Sequence, residues 1–197
     1  HVREDRRHVQ VGDVQRYQEK MRTRLNLEVS LAPEMVELAL SLKPESVCLV
    51  PENRKEVTTE GGLDILSHME RSRDAVKAFT DAGIPTSMFI DPDEKQLEAS
   101  AEIGSPWVEL HTGSFARAWY EQSDRMRELA ILEKGMEFGI SLGLRVNAGH
   151  GINYDNVEGA KQLGQVYEFN IGHSIISRSI THGLEEAVQT MRALLNK

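Results

Sequence analysis

Short apolar runs alternate along this chain with longer stretches whose apolar residues recur at helical spacing, and polar or glycine-bearing turns separate the two. Runs at residues 1–3, 25–29, 47–50, 86–90, 107–111, 145–148 and 166–171 read as strands, because they are brief, apolar and bounded by turn formers. Helices are predicted at residues 13–21, 33–42, 63–82, 120–142, 155–163 and 183–195, with another opened by Asp91-Pro92-Asp93 and stopped by Gly104. Asp13 suits an N-cap, Pro33 a first helical turn, and Gly83 a helix stop. Residues 4–8, 51–62 and 112–118 read as loops.

Strands that alternate with helices, without an Asn-Gly hairpin signal, point to parallel β/α architecture. One repeated βα unit with polar residues at every strand end predicts an α/β TIM barrel, (β/α)8, as a single domain over residues 1–197. Such barrels usually run to about 250 residues. The chain is therefore expected to lack the first βα unit. An open doubly wound sheet is the alternative, but no G-x-G-x-x-G turn follows a strand.

Composition narrows the partners. The 40% hydrophobic and 27% charged residues are those of an ordinary globular protein, with no apolar run near the ~18 residues of a membrane span. A net charge of -8 argues against a nucleic-acid groove while leaving small phosphorylated molecules open. Cys48 stands alone within an apolar run, which predicts a buried thiol in a reducing compartment. No signal-type segment opens the chain, so a cytoplasmic location is expected; the absent initiating Met suggests a missing N-terminal piece.

In a barrel, chemistry gathers where strands end. Those positions carry His1, Arg3 and His8; Asn26 and Glu28; Glu52, Arg54 and Thr58; Glu109, His111 and Thr112; Asn147 and His150; and Gly172-His173. The stretch L-R-V-N-A-G-H-G at residues 144–151 ends a strand with a histidine between glycines, a backbone suited to projecting His150 into open space. Carboxylates inside apolar strands are costly to bury, so Glu28 and Glu109 stand apart from the surface glutamates. Two such glutamates converging with two histidines suit acid/base work.

Metal binding is disfavoured: no H-E-x-x-H spacing occurs, and three arginines crowd residues 1–8. The junction Asn170-Ile171-Gly172-His173-Ser174 suits an oxyanion at a helix start. Arg3, His8 and Thr58 could serve a second anion, which suggests two phosphorylated groups. Strand ends carry no lysine, which disfavours an enzyme-borne Schiff base.

The segments H-V-R-E-D-R-R-H, R-L-N-L-E, V-P-E-N-R-K-E-V-T-T-E-G-G-L-D, E-L-H-T-G, V-N-A-G-H-G and N-I-G-H-S-I-I, in this order along the chain, together resemble the pyridoxine 5'-phosphate synthase family of vitamin B6 biosynthesis. The resemblance implies a cofactor-free, metal-free barrel. Such an enzyme condenses 1-deoxy-D-xylulose 5-phosphate with 3-amino-2-oxopropyl phosphate to pyridoxine 5'-phosphate, phosphate and water. Carried over by motif, the proton acceptors fall on His1 and Glu28, the proton donor on His150 and a transition-state-stabilising glutamate on Glu109. Contacts to the deoxyxylulose phosphate fall on Arg3, His8 and Thr58, and those to the aminoketone phosphate on Gly151, Gly172 and His173.

The resemblance also implies a homo-octamer built from dimers. The resemblance further implies an opening strand with an Asn-x-Asp-His motif, a helix and most of the second strand ahead of His1, so an incomplete barrel with little synthase activity is expected if those residues are truly missing. Another sugar-phosphate isomerase or epimerase, or a non-catalytic barrel remnant, are the competing readings. Residues 51–62 suit a lid that excludes water.

Overall fold

The computed structural model describes residues 1–52 and 61–196. Its elements follow as α1 (Val11–Lys20), β1 (Asn26–Val29), α2 (Pro33–Leu42), β2 (Ser46–Leu49), α3 (Met69–Asp81), β3 (Thr86–Ile90), α4 (Glu94–Glu102), β4 (Trp107–His111), α5 (Gly113–Ala118), α6 (Gln122–Ser141), β5 (Arg145–Gly149), α7 (Val157–Ala160), β6 (Phe169–Asn170), α8 (His173–His182) and α9 (Leu184–Leu195). Among the described residues, the strands form one six-stranded sheet in sequential order β1 to β6. Every pairing is parallel. No helix among the described residues is long and apolar enough to cross a membrane.

Period-two alternation gives this sheet two different faces. On the outer face, Leu27, Val29, Val47, Leu49, Met88, Ile90, Val108, Leu110 and Val146 join the main core, together with Met35, Phe79, Leu97, Leu132 and Met136 from the covering helices. The inner face carries Glu28, Cys48 and Ser87, paired in register across β1 to β3, and Glu109 and Asn147, paired across β4 and β5, with Phe89 as the β3 partner of Glu109. Among the described residues, Cys48, Val50 and Phe89 form a separate small apolar cluster. A wholly apolar interior would satisfy burial equally well, so the polar inner face marks where the chemistry sits.

The sheet curls round that inner face. Glu109 on β4 meets Cys48 on β2 at 3.7 Å and Asn170 on β6 at 2.7 Å, each two strands away. Inward side chains from alternate strands meeting in one layer is the packing rule of a β/α barrel.

Several elements depart from the sequence reading. Residues 1–3 are not a strand: Val2 N–H donates to the Glu28 carbonyl at 3.1 Å, but the chain then turns through Arg6 at φ 55° and forms no ladder. Asp13 is not the N-cap of α1; the helix starts earlier, at Gln10, whose N–H donates to the Asp13 carboxylate at 2.9 Å in a capping box. The helix expected from residue 63 begins at Met69 after a 3₁₀ turn, Leu66–His68, because Leu63 and Ile65 are drawn into the core ahead of the first helical turn.

Residues 112–118 are largely the short helix α5 rather than a loop, and β6 keeps only Phe169 and Asn170 of the expected strand. Residues 173–182 form α8, which the apolar pattern did not single out because none of its side chains is buried. Pro33 stands in the first turn of α2 as anticipated, and α4 opens at the expected Asp91-Pro92-Asp93, with the Asp93 side chain accepting from the Lys95 and Gln96 N–H groups.

Candidate active site

A cavity of about 700 Å³ opens at the carboxyl ends of the strands. His1, Arg3, His8, Glu28, Glu109, His150, Gly151, Gly172 and His173 all line it, joined by Asn26, Asn170 and Ser174 among others. Thr58, the remaining site candidate, and the stretch expected to act as a lid lie outside the described residues, apart from residues 51, 52, 61 and 62.

Glu109 forms the floor. It is 3% exposed; Asn170 Nδ2 donates to its Oε2 at 2.7 Å, and the Cys48 thiol approaches the same oxygen at 3.7 Å. Its Oε1 sits in a notch left by Gly149, where a Cβ would come within 2.0 Å of that oxygen. Burial, reinforced by the Glu28 carboxylate, pushes the Glu109 carboxyl up from 4.5 to about 8. At neutral pH it is therefore an acid that can donate a hydrogen bond, like a carboxyl kept protonated by an apolar site. Burial likewise pushes the Cys48 thiol up, so it stays protonated.

His1 lies between two carboxylates, its Nε2 3.0 Å from Glu52 Oε1 and its Nδ1 3.7 Å from Glu28 Oε2. Glu52 also accepts from the Glu4 backbone N–H at 3.0 Å, which holds the irregular N-terminal segment against the rim. The Arg3 side chain is 6% exposed and its Nε lies 4.0 Å from Glu52 Oε2. Arg3 thus brings a positive charge to the cavity that His8 also lines.

Across the cavity, His150 follows β5 with φ 78°, a left-handed conformation that favours glycine. Thr112 braces it: its backbone N–H donates to the Gly149 carbonyl at 2.9 Å, and its hydroxyl lies 2.8 Å from that carbonyl and 2.6 Å from the His150 carbonyl. Burial holds the His150 imidazole below its usual range, with His111, Arg117 and His173 pushing the same way and Glu28 opposing. The α8 N-terminus supplies the third wall, where Gly172, His173 and Ser174 line the cavity and the first helical N–H groups have no intrahelical partner.

Among the described residues, no group of three or more His, Cys, Asp or Glu side chains is placed to hold a metal ion, and no lysine lines the cavity.

Sequence reasoning placed Asn170 in the oxyanion junction and read Cys48 as a buried thiol, but linked neither to Glu109, which both contact, nor Glu52 to His1, which it orients. Glu52 stood among the polar strand-end residues. For Cys48 the signal was the period-two phase it shares with Glu28 in the β1–β2 register.

Comparison with known proteins follows the same lines. The family model described as pyridoxal phosphate biosynthesis protein PdxJ matches residues 1–197. The chain belongs to the PdxJ family. A relative from Opitutus terrae named pyridoxine 5'-phosphate synthase is 52% identical over 196 residues, covering 100% of this chain and 79% of the relative. Another of that name from Prochlorococcus marinus is 50% identical over 196 residues, covering 99% and 78%.

The PdxJ fold seen here is shared more widely. A 4-hydroxy-2-oxoglutarate aldolase/2-deydro-3-deoxyphosphogluconate aldolase from TTHB1 superposes with a TM-score of 0.61 at 12% identity, over 95% of this chain and 78% of that one. The tryptophan synthase A-subunit of Pyrococcus furiosus gives 0.61 at 13% identity, over 95% and 72%. At such identities the likeness concerns the fold alone, and it places this curled parallel sheet among TIM-barrel-like proteins.

Proposed function

We propose that this chain is a pyridoxine 5'-phosphate synthase that joins 1-deoxy-D-xylulose 5-phosphate to 3-amino-2-oxopropyl phosphate, releasing pyridoxine 5'-phosphate, phosphate and water. The observation that carries the reading is one cavity lined both by acid/base groups and by two sets of anion-suited residues. Arg3 and His8 line it from the N-terminal segment, Gly172 and His173 from the start of α8. Two phosphorylated substrates held in this way would meet over Glu109, Glu28, His1 and His150.

The amine of one substrate attacks the ketone of the other, so the imine joins the substrates and needs no lysine from the enzyme. The work left to the protein is proton traffic during dehydration, phosphate loss and ring closure. His1, set between Glu28 and Glu52, is placed with Glu28 to accept protons. His150, held below its usual range, takes up a proton in one step and delivers it to a leaving oxygen in a later one. Glu109, protonated at neutral pH, donates a hydrogen bond to oxygen that gains negative charge in the transition state.

The same reading puts the enzyme in the cytoplasm, in keeping with a single buried cysteine and a biosynthetic family. Octamers built from dimers belong to it by resemblance, and sedimentation velocity tests that part.

Mixing the two substrates with the chain and following pyridoxine 5'-phosphate by its absorbance tests the whole. Product is expected with the native chain, and His150→Ala is expected to lower kcat by about 10²- to 10⁴-fold, the range for a positioned acid/base group. Wild-type turnover in that variant would remove His150 from the mechanism.

A further inference from the structure

Beside His150, but not among the residues that line the cavity, lies a second imidazole. His111 ends β4 with its side chain 3% exposed, and its Nδ1 is 2.9 Å from Asp91 Oδ1. Its ring centroid is 5.0 Å from that of His150, at an interplanar angle of 54°, while Phe89 sits 5.3 Å away. His111 Nε2 is fully buried with no hydrogen-bond partner among the described residues.

Gly113 is what lets the two rings approach. A Cβ there would stand 2.4 Å from His111 Nε2 and 3.2 Å from His150 Cδ2. His111 does not line the main cavity; it borders a smaller one of about 410 Å³ together with Asp91, Arg117 and Phe115. It therefore meets no substrate directly.

We propose that His111, oriented by Asp91, is a positioning residue that fixes the ring plane of His150 and keeps water from its inner side. This rests on the reading that His150 moves protons in the synthase reaction. A carboxylate bonded to one imidazole nitrogen sets the tautomer and rotation of that ring, as it does behind metal-bound and catalytic histidines. With Asp91 accepting from Nδ1–H, the ring of His111 is held as a rigid backing for His150 while Thr112, the next residue, braces the His150 backbone. The H-T-G triplet is thus one device: ring, hydroxyl and gap, all directed at His150.

The charged and titratable groups facing His150 are His111 on β4, Arg117 on α5, Glu28 on β1 and His173 on α8. The first two and the last depress its proton affinity, and so does burial, which is the largest effect. Removing the His111 ring admits water and deletes one of those neighbours, so both changes act in the same direction and raise the His150 pKa.

The experiment is an NMR titration of isotope-labelled histidines in the full chain, with steady-state kinetics alongside, for His111→Asn and Asp91→Asn. The asparagine at 111 keeps an amide able to reach Asp91 but loses the ring. Expected for His111→Asn are a rise in the His150 pKa of at least half a unit and a fall in kcat of tenfold or more. Both KM values should stay within twofold, and the limb of the kcat–pH profile that tracks His150 should move upward. Asp91→Asn, at a half-exposed side chain, is expected to shift His150 in the same direction by less.

An unmoved His150 titration in both variants overturns the proposal. So does a loss in which kcat, KM and melting temperature change together, the mark of a merely structural residue. If His111→Asn fails to fold, Asp91→Asn decides by the same readout. Should the native chain make no pyridoxine 5'-phosphate, the functional reading fails separately, while the titration still reports on whether His111 governs His150.

Discussion

Replacing Glu109 by Gln should make the chain more stable at alkaline pH and little different in mild acid. The carboxyl is buried and its pKa stands at about 8 against an ordinary 4.5. Between those two values the folded protein holds a proton that the unfolded chain has already released. Stability therefore falls as pH rises through that window, at about 1.4 kcal/mol for each unit. Over the whole interval this comes to about 5 kcal/mol, a large share of the 5–15 kcal/mol that holds a typical domain together.

Glutamine has no proton to lose and keeps an oxygen to accept from Asn170 Nδ2, so the slope contributed by this site should vanish. Urea unfolding of both proteins at pH 5, 6, 7 and 8 measures it. The stability difference between Glu109→Gln and the native chain should grow steadily with pH, by a few kcal/mol in total. If the two curves run parallel across the series, Glu109 is not the buried acid argued for here, and its part in stabilising the transition state goes with it.

Other substitutions probe the walls of the site. Gly149→Ala drives a methyl group against Glu109 Oε1, and should cost about 1–3 kcal/mol in chemical denaturation while lowering kcat by displacing the carboxyl. Thr112→Val keeps the shape but leaves the His150 carbonyl without its hydroxyl donor; about 1–3 kcal/mol should be lost, together with most of the turnover. Arg3→Lys retains the charge but not the planar fork, and should raise KM for the deoxyxylulose phosphate about tenfold with little effect on the other substrate's KM.

The architecture was legible because β1 to β5 are short apolar runs with turn formers behind them, a signal that depends on local sequence alone. α8 was not legible in the same way. Ile176 and Ile180 are exposed, so no apolar stripe toward a core announced the helix. The N-terminal residues misled for the opposite reason: they look like a strand tail but are tied down by Glu52 and by a single bond to Glu28, partners far along the chain.

At the site, His150 and Glu109 could be found by asking which polar residues interrupt or end an apolar strand. The partners that tune them could not. That Asn170 reaches across to Glu109, or that Asp91 backs His111, depends on how far the sheet curls, and nothing in the residue spacing encodes that distance.

The two faces of the sheet divide the chain's tolerance for change. Along one strand, Val108 and Leu110 pack into the main core beneath the covering helices, whereas Glu109 between them lines the reaction chamber. A survey of substitutions along β4 should therefore read like a comb: teeth that set expression and melting temperature alternate with a tooth that sets turnover. Repacking the outer positions for thermal endurance need not disturb substrate choice, and reshaping the chamber for new substrates need not spend the core.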